Sequence, residues 1–113
     1  MADVKIKLLF VCSRNQWRSP TAEKTYHKDP RVDARSRGTA RGAVRTLAAG
    51  DLQWADMVLV MEQKHRRYIA SHFGQLVQHK PVHVLDIPDD YQYMDDELVD
   101  AIRTAVEPLI SPR

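Results

Sequence analysis

Apolar positions begin as an alternation in Val4-Lys-Ile-Lys and become continuous through Leu8-Leu-Phe-Val11, as in a central parallel strand buried on both faces. Ser19 is a good N-cap and Pro20 suits a first helical turn, so a helix is expected from Pro20 towards Lys28, ended by Asp29-Pro30. Val32 to Ser36 reads as a short edge strand, Gly38 and Gly42 mark a loop, and a short helix covers part of Val44 to Trp54. Asp56-Met-Val-Leu-Val-Met61 is the clearest buried strand after the first. Glu62 to Phe73 reads as a helix with Tyr68, Ile69, His72 and Phe73 on one face and Gly74 placed to end it. Val82 to Leu85 forms a fourth strand. The last helix starts at an N-cap such as Asp95, with Asp96 and Glu97 at its positive end and a stripe of Leu98, Ile102, Ala105 and Leu109.

Strands that alternate with helices imply right-handed crossovers and a parallel sheet, an α/β fold. The 113 residues suit a single domain over 1–113, with no internal repeat or low-complexity tract. No apolar run approaches the roughly 20 residues of a membrane span, and the start interleaves charge with apolar residues, so no membrane association and a cytoplasmic location are expected. The single cysteine forms no internal disulfide, which suits a reducing compartment.

Net charge is +2, too mild to demand nucleic acid, which enters only as a possible substrate. Arginines at 31, 35, 37, 41, 45, 66 and 67 could rim an anion site, although a mixed-charge solvated surface is the simpler reading. The Asp95-Asp96-Glu97 run has a sufficient reason as a helix first turn, and the histidines (His65, His72, His79, His83) read as surface or half-buried residues, so no metal is expected. No Walker-type Gly-Lys-Ser/Thr is present, which disfavours P-loop nucleotide hydrolysis.

The chemistry concentrates where the first strand meets the first helix. Cys12 follows the apolar run directly, and Arg18 closes a five-residue connection. Such a connection turns successive backbone N–H groups inward, and the helix adds unpaired N–H groups and its positive dipole end, making a cradle for an oxyanion. A thiol at the base of that cradle shares the field, which favours the nucleophilic thiolate. Arg18 offers a planar fork able to bond two phosphoryl oxygens.

Val11-Cys-Ser-Arg-Asn-Gln-Trp-Arg-Ser-Pro20 resembles the signature loop of the low-molecular-weight protein tyrosine phosphatases. The resemblance implies a three-layer sandwich around a four-stranded parallel sheet of order 2-1-3-4, the phosphotyrosine protein phosphatase I-like fold. It implies that Cys12 attacks phosphorus, Arg18 binds phosphate, Asn15 braces the loop and Ser19 hydrogen-bonds the thiolate. Leu85-Asp-Ile-Pro-Asp-Asp-Tyr91 looks like the family's acid loop, in which Asp89 matches the general acid and Tyr91 the following aromatic. The expected catalytic set is therefore Cys12, Arg18 and Asp89, and the expected substrate-contacting set is Ser13, Arg14, Asn15, Gln16, Trp17, Ser19 and Tyr91. Asp90 stands where the family has proline, and Trp17 where many members have a second cysteine. The connections around the third and fourth strands are shorter than the family's.

The implied reaction is phosphomonoester hydrolysis through a phosphocysteine, without metal or organic cofactor, on a phosphotyrosine protein. RNA ends, nucleotides or small phosphometabolites are the alternative substrates, and an inactive phosphate-binding module is the alternative of another class. An arsenate reductase of the thioredoxin-coupled type is disfavoured because that chemistry passes oxidation through additional cysteines.

Overall fold

A computed structural model describes residues 4–111. The continuous apolar run becomes β1 (Ile6–Cys12), and its alternate residues feed two different cores. Leu8, Phe10 and Cys12 join one core, whereas Leu9 and Val11 join the other. The sheet adds β2 (Val32–Gly38), β3 (Met57–Val60) and β4 (Val82–Val84) in the order β2-β1-β3-β4, with every neighbouring pair parallel. This is the order the resemblance implied.

On one face lie α1 (Arg18–Tyr26) and α4 (Asp96–Ile110), and their core contains Ala22, Tyr26, Leu98, Ile102, Val106 and Ile110. On the other lie α2 (Ala49–Trp54) and α3 (Gln63–Val77), with Leu52 and Ile69 buried against Val58 and Val60. Layering follows from chemistry: strands apolar on both sides need a helix on each.

Differences from the sequence reading are local. The first helix starts at Arg18, so Ser19 lies inside it rather than capping it. Its hydroxyl is instead held by Cys12 Sγ at 3.0 Å and by the carbonyl of Arg37 at 3.3 Å. Gly74 does not end α3. The chain leaves helical geometry at Phe73 (φ −137°, ψ 27°) and resumes to Val77, with Gly74 exposed. On that helix Ile69 is buried and Tyr68 and Phe73 pack beside it, but His72 is exposed and stacks on Tyr68. In α4, Asp95 accepts from the Glu97 N–H as an N-cap, while the fully buried stripe is Leu98, Ile102, Val106 and Ile110, with Ala105 and Leu109 at its flank.

Several of the arginines are engaged by acids. Arg31 pairs with Asp29 and Glu107, and Arg35 and Arg37 both pair with Asp51. Tyr26 donates to Glu107 at 2.8 Å, which joins α1 to α4. Burial and that hydrogen bond push the Tyr26 phenol well above its ordinary range. No helix among the described residues is long and apolar enough to cross a membrane.

Candidate active site

β1 ends at Cys12 and α1 begins at Arg18, so residues 13–17 must reverse the chain within one short loop. The turn is possible because Asn15 takes a left-handed conformation (φ 54°), which asparagine tolerates better than most side chains. From there its backbone N–H points at Cys12 Sγ at 3.3 Å, and its side-chain amide donates to Ser19 Oγ at 2.9 Å. The thiol is buried, with the Ser19 hydroxyl 3.0 Å away. The sulfur therefore faces both a backbone N–H and a hydroxyl.

The loop is also supported from β2. Cys12 is paired with Gly38 in the parallel register. A Cβ on Gly38 would lie 2.6 Å from the Ser13 carbonyl oxygen and 2.9 Å from the Asn15 nitrogen, both backbone atoms of the loop. Only glycine allows this approach. The Thr39 and Ala40 N–H groups then donate to the carbonyls of Cys12 and Ser13.

Arg18 is 2% exposed. Its Nη1 donates to Glu62 Oε2 at 2.5 Å and to the Ile87 carbonyl at 2.8 Å, while Asp89 Oδ1 lies 3.6 Å from Nε. Nε is buried and has no hydrogen-bond partner among the described residues. The guanidinium is thus anchored at one nitrogen, with another donor still uncommitted. Burial opposes ionisation of Glu62, but the hydrogen bond and charge of Arg18 outweigh it and hold the carboxyl below its usual range.

Asp89 is 58% exposed and lines a small cleft together with Cys12, Ser13, Arg14, Gln16, Trp17 and Arg18. Trp17 is 38% exposed at that cleft. Ser19 and Asn15 are buried behind it, in contact with the thiol rather than lining the opening. Tyr91 is half-buried against the α1/α4 core and does not line the cleft, because its ring is drawn into apolar surroundings. Asp86, in a left-handed conformation, and Asp90 are both exposed and outside the cleft.

Besides Gly38, two supporting side chains were not legible in the sequence. One is Glu62, the partner of Arg18. The other is His65, which is 1% exposed rather than a surface residue. Its Nδ1 accepts the Glu62 N–H at 3.0 Å, so the ring proton sits on Nε2, which donates to Ser13 Oγ at 2.9 Å. Burial, reinforced by the charge of Arg18, lowers its pKa to about 4. The available signal was Glu62-x-x-His65 directly after a buried strand, a helix-start pattern in which the fourth residue reaches back to the first N–H.

The fold and the loop are similar to those of solved phosphatases, among them a low-molecular-weight protein tyrosine phosphatase. The YwlE arginine phosphatase from Geobacillus stearothermophilus is 25% identical with a TM-score of 0.69, over 93% of this chain and 88% of that one. The low molecular weight protein tyrosine phosphatase from T. tengcongensis is 21% identical with a TM-score of 0.73, over 94% and 98%. The tyrosine phosphatase Wzb from Escherichia coli K30, solved in complex with phosphate, is 18% identical with a TM-score of 0.74, over 95% and 97%. No family model matches the chain, and neither does any curated protein.

Two predictions follow from the supporting contacts. Gly38→Ala should lower kcat/KM for p-nitrophenyl phosphate by about tenfold or more, because the added methyl displaces loop backbone and small misplacements are costly to reactivity. The second concerns acid. The unfolded chain binds a proton at His65 below about pH 6.5, whereas the folded chain resists until about pH 4. Stability is therefore lost as pH falls through that window, by roughly 3–4 kcal/mol at most. Urea unfolding midpoints at pH 6.5 and 4.5 should differ in the wild type and differ by less in His65→Gln.

Proposed function

We propose that the protein hydrolyses phosphomonoesters through a phosphocysteine intermediate, with phosphotyrosine proteins as the substrate class. The observation that carries this is the arrangement at the loop: a buried thiol faces the Ser19 hydroxyl and the Asn15 N–H, beside a buried arginine with an uncommitted Nε. The Cys12 thiolate attacks phosphorus in line with the leaving oxygen. Arg18 and the loop N–H groups hold the phosphoryl oxygens as charge develops on them. Asp89 protonates the departing oxygen, then takes a proton from the water that cleaves the S–P bond, releasing phosphate and restoring the thiolate. The place of Asp89 supports that role, since it lines the cleft and lies 3.6 Å from Arg18, whereas Asp86 and Asp90 do not line it.

The likeness to an arginine phosphatase at 25% identity favours a second reading of the scissile bond, P–N of phosphoarginine rather than P–O. The same nucleophile and acid serve both, because each leaving group departs more readily once protonated. Peptides carrying phosphotyrosine or phosphoarginine at one position separate the two by kcat/KM.

Cys12→Ser should bring turnover of every phosphorylated substrate to background while vanadate still binds, because backbone and Arg18 form the cradle. Retained turnover in that variant would show that no phosphocysteine is formed. Asp89→Asn should impair hydrolysis of an alkyl phosphate by about 10²–10⁴-fold, the range of general acid catalysis, with much less damage for p-nitrophenyl phosphate. It should also remove the basic limb of the pH profile. The same pattern in Asp90→Asn, absent from Asp89→Asn, would transfer the acid to Asp90.

A further inference from the structure

A cavity of about 350 Å³ lies beside the nucleophile loop and shares no lining residue with the Cys12 cleft. Its polar floor includes Asn15 and Ser36, both buried. Apolar walls come from Pro20, Val44 and Tyr93. Val44 is 72% exposed and Tyr93 49%, so two of the large apolar side chains this molecule leaves in water meet at one depression. Clustering of that kind marks binding surfaces, and the volume lies in the range of small-molecule sites.

Charge narrows the occupant. Lys24 and Arg45 stand at the cavity, and among the described residues Lys24 makes no ion pair. Glu23 is the one acid there, and it is already engaged, accepting from the Ser36 hydroxyl at 2.6 Å with Arg45 at 3.9 Å. Positive charge is therefore in surplus over a polar floor and apolar walls. We propose that this cavity is a second binding site, separate from the phosphoryl cleft, for a small ligand with a flat apolar body and an anionic group. Tyr93 and Val44 cover the body, and Lys24 and Arg45 meet the anion. Asn15 links the two sites, since the residue at the cavity floor also donates to Cys12 Sγ and Ser19 Oγ. A ligand resting on Asn15 restrains the residue that shapes the nucleophile loop.

The test is a fluorescence titration of the wild-type protein with 8-anilinonaphthalene-1-sulfonate, an aromatic anion. One saturable equivalent is expected, with the Asn15 and Ser36 amide resonances shifting in ¹⁵N spectra. Lys24→Glu and Arg45→Glu should each weaken binding, and together by about tenfold or more, as loss of charge-assisted contacts requires. Tyr93→Ala should weaken it too. Saturating vanadate should leave the dye bound at one equivalent, because separate sites do not compete, and any change of affinity reports the link through Asn15. Displacement of the dye by vanadate, unchanged affinity in the three variants, or equal affinity for the uncharged N-phenyl-1-naphthylamine would each overturn the proposal. Binding is read without turnover, so a protein that hydrolyses nothing yet binds the dye in this way refutes the phosphatase reading alone.

Discussion

A guanidinium that is almost wholly buried must have its charge answered, and the answer organises this molecule. Arg18 opens α1, yet its partners come from two other regions: Glu62 after β3, and Ile87 and Asp89 after β4. Removing Glu62 would leave the buried charge of Arg18 less well compensated, which is destabilising. The loops that follow three parallel strands are therefore held together by one side chain. They converge beyond the C-terminal ends of β1, β3 and β4, where open α/β sheets place their ligands.

The thiol depends on a second network with shorter reach. Cys12, Asn15 and Ser19 close a set of contacts within eight residues of sequence, and the left-handed Asn15 makes this closure possible. Local contacts of this kind can be read from a sequence, because the spacing of a strand end, a turn and a helix start constrains them directly. Cys12 and Arg18 stood out by their spacing after an apolar strand, whereas Asn15 and Ser19 were named through the loop's resemblance, which also implied the sheet order found here. The role of Ser19 was half legible. A serine before Pro20 has the look of an N-cap, but a nearby thiol competes for its hydroxyl, and in this structure the thiol holds it.

Glu62, His65 and Gly38 were not legible because their partners are distant in sequence. Glu62 meets Arg18 across 44 residues and His65 meets Ser13 across 52, so no window of sequence contains both ends of either contact. Glycine at 38 marks a turn in the sequence. In three dimensions its missing Cβ is what lets β2 lie against the backbone of Ser13 and Asn15. The Asp-rich segment was ambiguous for a different reason, since three aspartates in five residues share one chemistry and only geometry distinguishes Asp89, which faces the cleft, from Asp86 and Asp90.

One helix start carries both distant supports. Glu62 and His65 lie a single turn apart at the beginning of α3, where the Glu62 N–H bonds His65 Nδ1, so a displacement of that turn moves the brace of Arg18 and the brace of Ser13 together. What places the turn is β3, whose Val58, Leu59 and Val60 are buried and whose register against β1 pairs Val11 with Val60. A one-residue slip of that register would reverse the strand's faces and carry Glu62 away from Arg18 by about 3.3 Å. The Met61 N–H bonds the Val11 carbonyl at 2.9 Å, which fixes the register one residue before Cys12 on one strand and one before Glu62 on the other. The apolar run of β3 thereby positions a charged pair that its own sequence does not contain, through the same sheet contacts that hold Cys12.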